Sequence, residues 1–167
     1  AARAYPVIVP AEPVRPQRLF DLMTRLRSSH GLKFVPAQRG VMRQLVKALR
    51  RGEVVALAID RDVNGGGLPL PFFGATTTFQ TGAAVLARRE GCPLLAGFSI
   101  RRPDNTSDVY VEPPIEIQVT DDEEADLAVN MRRILAVFER YIRAYPDQWV
   151  AFVPVWPTNG RLHAERA

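Results

Sequence analysis

An apolar run, Val54 to Ile59 (VVALAI), leads directly into Asp60-Arg61-Asp62. Two carboxylates flanking a guanidinium at a strand end can grip an anion or a sugar hydroxyl, and ligands of α/β folds sit beyond the carboxyl ends of strands. The same trio also reads as a surface salt-bridge turn. Arg25 and Arg27 precede a predicted strand and can clamp an anion; read structurally, they are solvated charges at a helix C-terminus. Gly65-Gly66-Gly67 lacks the residues of a dinucleotide or Walker loop, so it reads as a mobile loop rather than a phosphate cradle. Phe72-Phe73-Gly74 places two large rings beside a glycine, suited either to an acyl pocket or to anchoring a loop in the core. Thr76-Thr77-Thr78 reads as the N-cap region of a following helix. One cysteine, Cys92, and two histidines, His30 and His163, exclude a disulfide within the chain and a Cys- or His-rich metal centre, so no metal is expected.

The elements that must position these residues alternate. Tyr5–Val9 and Leu32–Pro36 read as strands, and Pro16–Arg27 as a helix with Leu19, Phe20, Met23 and Leu26 at helical spacing. Val41–Arg51 reads as a helix closed by a basic last turn and Gly52. VVALAI has the continuous apolar character of a central strand covered on both faces. Phe79–Glu90 reads as a helix, Pro93–Ile100 as a buried strand, and Asp108–Val111 and Ile115–Val119 as further strands. Asp121-Asp122-Glu123-Glu124 starts a long helix with one apolar face, Leu127, Met131, Ile134, Leu135, Phe138, Tyr141 and Ile142. Gln148–Val155 closes the fold. The order predicts an α/β layer with a largely parallel sheet flanked by helices, forming a single domain over 1–167 or the C-terminal portion of one.

The chain has 167 residues, is 47 % hydrophobic and 24 % charged, and can bury a core. No run approaches the ~18–20 apolar residues of a transmembrane helix, and no basic region followed by an apolar stretch marks a secretory leader. The net charge is +4, with 20 Arg and 2 Lys. This composition suits anionic partners, and Arg over Lys also follows from genome composition.

Five stretches in order resemble the bacterial lipid A biosynthesis (lauroyl/myristoyl) acyltransferases. They are Leu45–Val55, Ala58–Asp62 (AIDRD), Leu70–Gly74 (LPFFG), Thr76–Ala87 and Tyr141–Trp149 (YIRAYPDQW). The last carries Ile142, Arg143, Pro146, Gln148 and Trp149 of an Ile-Arg-x-x-Pro-x-Gln-Trp pattern. The acidic turn and the ending Val153-Pro154-Val155-Trp156 resemble the phosphatidylinositol mannoside branch more closely.

The resemblance implies a glycerolipid-acyltransferase-like fold and acyl transfer to a sugar hydroxyl of a membrane glycolipid. The donor would be an acyl-CoA or acyl carrier protein thioester, with no further cofactor and no nucleic acid. The implied location is the cytoplasmic face of the inner membrane, with peripheral contact to its anionic surface. It further implies substrate-binding roles for Arg25, Arg27, Asp60, Arg61 and Asp62, and an acyl groove at Phe72 and Phe73. A His-x4-Asp/Glu pair serves such enzymes as general base. Neither His30, followed five positions on by Val35, nor His163 fits it. The dyad is therefore expected upstream of Ala1, no catalytic residue in this chain, and the chain by itself inactive. From a different class, the alternative is a non-catalytic α/β module that binds anionic lipid headgroups or sugar phosphates.

Overall fold

The computed structural model describes residues 5–29, 31–60, 62, 65–151 and 154–156. They fall into two compact units, Ala1–Ala58 and Ile59–Ala167.

The first unit is a parallel three-stranded sheet. Strand β1 (Val7–Ala11) pairs with β2 (Leu32–Pro36) in the register Val7↔Leu32 to Ala11↔Pro36, and with β3 (Val54–Val55) at Val7↔Val54. Parallel neighbours need crossovers. Helix α1 (Gln17–Ser28) joins β1 to β2 and packs on β2; helix α2 (Val41–Arg50) joins β2 to β3 and packs on β1 and β3. Leu45 and Ala48 of α2 are buried, as its periodicity requires. The strand order β2-β1-β3 corrects one expectation, because the centre of this sheet is the Tyr5–Val9 run. Only Val54 and Val55 of VVALAI enter the ladder, at its edge, and Val54 is 41 % exposed. Continuous apolarity marks burial but does not say which strand both neighbours choose. In α1 only Phe20 is buried; Leu19, Leu22 and Leu26 are exposed.

In the second unit the described strands pair antiparallel, so parallel pairing is confined to the first. Strands β4 (Leu68–Phe72) and β5 (Ala75–Phe79) form a hairpin from Leu68↔Phe79 to Phe72↔Ala75. Leu70, Phe72, Thr77 and Phe79 are buried at a period of two, which places them on one face. Thr76–Thr78 are therefore strand residues. Helix α3 (Gly82–Glu90) starts after Thr81, which makes no side-chain cap bond. β-Branched threonines fit a pleated surface, and pairing with β4 outweighs their capping tendency. Pro69 and Pro71 remove ladder donors from β4, which suits a strand paired on one side.

Strands β6 (Gly97–Arg101) and β7 (Ser107–Val111) form a second hairpin, so Pro93–Ile100 is only partly strand and alternates in exposure. Ile115–Val119 contributes a single bridge, Leu94↔Ile115. Its backbone is satisfied by side chains of helix α4 (Glu123–Ala144) instead: Gln118 N–H donates to Asn130 Oδ1 (2.8 Å), Asn130 Nδ2 to Gln118 O (2.9 Å) and Arg133 to Glu116 O (2.6 Å). Gln148–Val155 begins in a 3-10 turn, Pro146–Gln148, and its residues 152 and 153 lie outside the described residues.

Helix α4 has 22 residues, about 33 Å of rod. The acidic start works as expected: Asp122 accepts from Ala125 N–H at 3.0 Å, and Glu123, Glu124 and Asp126 occupy the positive end of the dipole. Asp126 is fully buried. It accepts from Thr120 N–H (2.6 Å), Thr120 Oγ1 (2.9 Å), Gln118 Nε2 (3.1 Å) and Arg88 Nε of α3 (2.9 Å). Burial pushes this carboxyl up, but the Thr120, Arg88 and Gln118 hydrogen bonds outweigh it and hold the pKa at about 2, below the ordinary 3.8.

A carboxyl whose folded pKa is depressed stabilises the fold above its unfolded pKa and loses that contribution as pH falls through the folded value. Asp126→Asn should lower Tm at neutral pH by at least ~5 °C. The gap to the wild type should narrow as pH falls from about 4 to about 2. Thermal melts at a series of pH values check this; a gap independent of pH contradicts it.

Candidate functional site

Beyond Ile59, Asp62 reaches the open end of the β4–β5 hairpin. Asp60 is half-buried, and Arg61 lies outside the described residues. Asp62 Oδ2 accepts from Gly67 N–H at 2.8 Å, and Oδ1 accepts from Gln80 Nε2 just beyond β5. Burial pushes the Asp62 carboxyl up, and hydrogen bonds from Gln80, Gly67, Thr78 and Gly65 more than reverse this, holding it below the ordinary carboxylate value. Asp62 is thus an internal anchor that shapes the loop. The Gly65 and Gly67 amides already serve this carboxylate, which leaves them unsuited to cradle a phosphate and ties the loop down. A Cβ on Gly67 would stand 2.5 Å from Phe79 O and 2.7 Å from Asp62 Oδ2, so only glycine fits there.

At the other end, about 13 Å along the strands, Phe73 and Gly74 make the turn. Their φ values are +51° and +83°. A two-residue hairpin turn with both φ positive favours Asn, Asp and Gly; a phenylalanine there is an outlier. Phe73 N–H donates to Glu139 Oε1 of α4 at 2.7 Å. Arg143, one turn on, donates to Glu139 Oε2 at 2.9 Å, and its guanidinium lies 5.0 Å from the Phe73 ring centre.

Phe72 is 1 % exposed and forms the centre of a ring cluster. Phe73 (4.7 Å), Phe79 (5.0 Å) and Trp149 (5.9 Å) meet it edge-on, and Trp156 lies roughly parallel at 6.2 Å. Trp156 Nε1 donates to Phe72 O at 3.0 Å and Thr77 Oγ1 to Val155 O, which pins residues 154–156 to the hairpin. Of the two readings of the Phe-Phe pair, Phe72 follows the core anchor, while Phe73 is half-buried at the turn.

Arg25 and Arg27 belong to the first unit, whereas Asp60, Asp62, Phe72 and Phe73 belong to the second. Arg27 lies 5.7 Å over the Phe34 ring of β2, and Arg25 is exposed in the last turn of α1. Glu139 and Gln80 are site residues that sequence reasoning missed. Glu139 was visible only as the first member of an i,i+4 acid–base pair, a pattern that usually marks a solvated helix face.

Chemically, the arrangement supplies an apolar wall and fixed polar anchors. Both histidines lie outside the described residues. Burial raises the Cys92 thiol above its ordinary value, which makes it a poor nucleophile. No three His, Cys, Asp or Glu side chains among the described residues converge as metal ligands.

The model of the bacterial lipid A biosynthesis acyltransferase family matches residues 2–158, so the chain belongs to that family. It is 28 % identical over 149 residues to a phosphatidylinositol mannoside acyltransferase of Mycobacterium tuberculosis, covering 87 % of this chain and 45 % of that protein. The corresponding Mycolicibacterium smegmatis protein is 25 % identical over 154 residues, covering 90 % and 49 %. The lipid A biosynthesis palmitoleoyltransferase of Escherichia coli is 31 % identical over 115 residues, covering 67 % and 36 %. The chain spans about half the length, or less, of the curated relatives it matches. The quoted motifs map onto the site: LPFFG is β4 and its turn, and YIRAYPDQW supplies Arg143 and Trp149.

Gly67→Ala should destabilise the hairpin by roughly 1–3 kcal/mol. Gly66→Ala meets open space but has φ of +78°, so it should cost only about 1 kcal/mol of backbone strain. Denaturant titration of the two variants checks the ranking, and equal losses would contradict the close approach at Gly67.

Proposed function

We propose that this chain forms the substrate-pocket portion of an acyltransferase that moves a fatty acyl group from a thioester to a sugar hydroxyl of a membrane glycolipid. Family membership across residues 2–158 carries this reading. The relatives are named for phosphatidylinositol mannoside and for lipid A biosynthesis, and both names point to a sugar-bearing lipid acceptor. In the transfer the acceptor hydroxyl oxygen bonds to the thioester carbonyl carbon, the carbon–sulfur bond breaks, and the thiol leaves. A general base must take the hydroxyl proton. Neither His30, followed five positions on by Val35, nor His163 carries a carboxylate at the His-x4-Asp/Glu offset, so in this reading the base belongs to a part of the enzyme outside this sequence and the 167-residue chain has no transferase activity by itself. The donor is an acyl-CoA or an acyl carrier protein thioester, and the site of action is the inner face of the cytoplasmic membrane.

Within the chain, the half-buried Asp60 and the neighbouring Arg61 bind the polar part of the acceptor. Asp62, next to them in the sequence, is fixed by hydrogen bonds from Gly67 and Gln80. A guanidinium can grip a phosphate or carboxylate through two parallel hydrogen bonds. The half-buried Phe73 ring guides the acyl chain.

Arg61→Ala in the intact enzyme should cut acyl transfer at least ~10-fold, equivalent to ~1.4 kcal/mol, and Arg61→Lys should restore little of it because the planar fork is lost. Melting temperature should stay within a few degrees. Transfer of a radiolabelled acyl group to glycolipid, read beside thermal melts, tests this. Full activity of Arg61→Ala, or loss only in step with Tm, would overturn the assignment.

A further inference from the structure

Charge is not spread evenly along this chain. Residues 1–58 hold eleven Arg and Lys against three Asp and Glu, a net +8. Residues 59–167 hold eleven against fifteen, a net −4. The same first unit carries a helix whose apolar residues point the wrong way for a simple core helix. Phe20 of α1 is buried, while Leu19, Leu22 and Leu26 are 44 %, 45 % and 63 % exposed. Their i, i+3, i+7 spacing makes them one stripe along the outer surface of the helix. Arg18 and Arg25 flank Leu22 at i−4 and i+3, and Arg15 lies in the chain just before the helix; all three are exposed. The acid on α1, Asp21, accepts a hydrogen bond from Gln17 at 2.9 Å.

We infer that α1 is an interfacial helix that lies flat on an anionic phospholipid bilayer. Leu19, Leu22 and Leu26 enter the headgroup–acyl boundary, and Arg15, Arg18 and Arg25 meet lipid phosphates. A leucine stripe rimmed by arginines has the two halves of such contact: apolar area to immerse and positive charge to hold it at the surface. Arg25 thereby serves the lipid surface, while Arg27, stacked on Phe34, belongs to the packing of α1 on β2. The inference rests on the membrane location proposed above and names the element that makes the contact.

Co-sedimentation of the purified chain with vesicles of phosphatidylcholine containing about 30 % phosphatidylglycerol tests it. The wild type should bind, and raising salt from about 0.1 M to about 0.5 M should weaken binding steeply. Leu22→Gln with Leu26→Gln should reduce the bound fraction at least ~10-fold, and Arg18→Gln with Arg25→Gln should abolish the preference for anionic vesicles. Because these side chains are exposed, both variants should keep the wild-type Tm; Leu22→Ser with Leu26→Ser provides a second pair. Val109→Gln, an exposed apolar position on β7 at 71 % exposure, should bind like the wild type. If the wild type binds and the α1 variants bind equally well, the helix assignment fails while the membrane location stands. If the wild type binds no anionic vesicle, the membrane location fails and the assignment with it. A dimer that the leucine variants dissociate would give the stripe to a second copy and also overturn the inference.

Discussion

The hydrogen bond from Phe73 N–H to Glu139 holds together what the second unit is built to present. A bulky side chain at φ of +51° costs about 1–3 kcal/mol. A hydrogen bond to a partly exposed carboxylate returns only about 1 kcal/mol. The balance falls to the ring contacts of Phe73 with Phe72 and Trp156, about 0.5–1.5 kcal/mol each, and to Arg143 over its face. An asparagine would occupy the turn without strain. The phenylalanine is tolerated because three elements converge on it: the hairpin, α4 and the segment ending at Trp156.

Helix α4 makes this possible by being fixed at both ends. Near its N-terminus the buried Asp126 gathers donors from Thr120, Gln118 and Arg88 and so ties α4 to α3 and to the preceding extended chain. Near its C-terminus Glu139 and Arg143 hold the β4–β5 turn, while Tyr141 stacks on Phe98 of β6 at 3.8 Å and donates to Glu112 at 2.6 Å. One rod of ~33 Å therefore sets the positions of two hairpins that do not pair with each other among the described residues. Exposed pairs such as Arg102–Asp108 close a hairpin locally and add little to this frame.

The sequence made the helices legible because their signals are local: period, an acidic start, a basic last turn, a terminal glycine. It made the parallel pairing of the first unit legible through the alternation of strand and helix. The β4–β5 hairpin was not legible, since two prolines demote β4, Phe-Gly is not a recognised hairpin turn, and three threonines resemble a cap. Ile115–Val119 has strand composition, but Asn130, a residue distant in sequence, captures its backbone. At the site, Asp62 and the Phe72-Phe73 pair stood out in the sequence as a carboxylate beyond a strand and two rings beside a glycine, but their contacts in the structure depend on Gly67, Gln80, Glu139 and Trp156, partners that no spacing rule connects to them.

Under the proposed function, Phe73 is kept in this strained turn for what its ring does in acyl transfer. The most direct measurement compares Phe73→Asn with the wild type in the intact enzyme, recording acyl transfer and Tm together. Relief of strain, about 1 kcal/mol or more, should roughly offset the lost ring contacts, so Tm should move by no more than a few degrees while transfer falls at least ~10-fold. Unchanged transfer, or a loss of activity that only follows a large fall in Tm, would show that the ring serves packing alone.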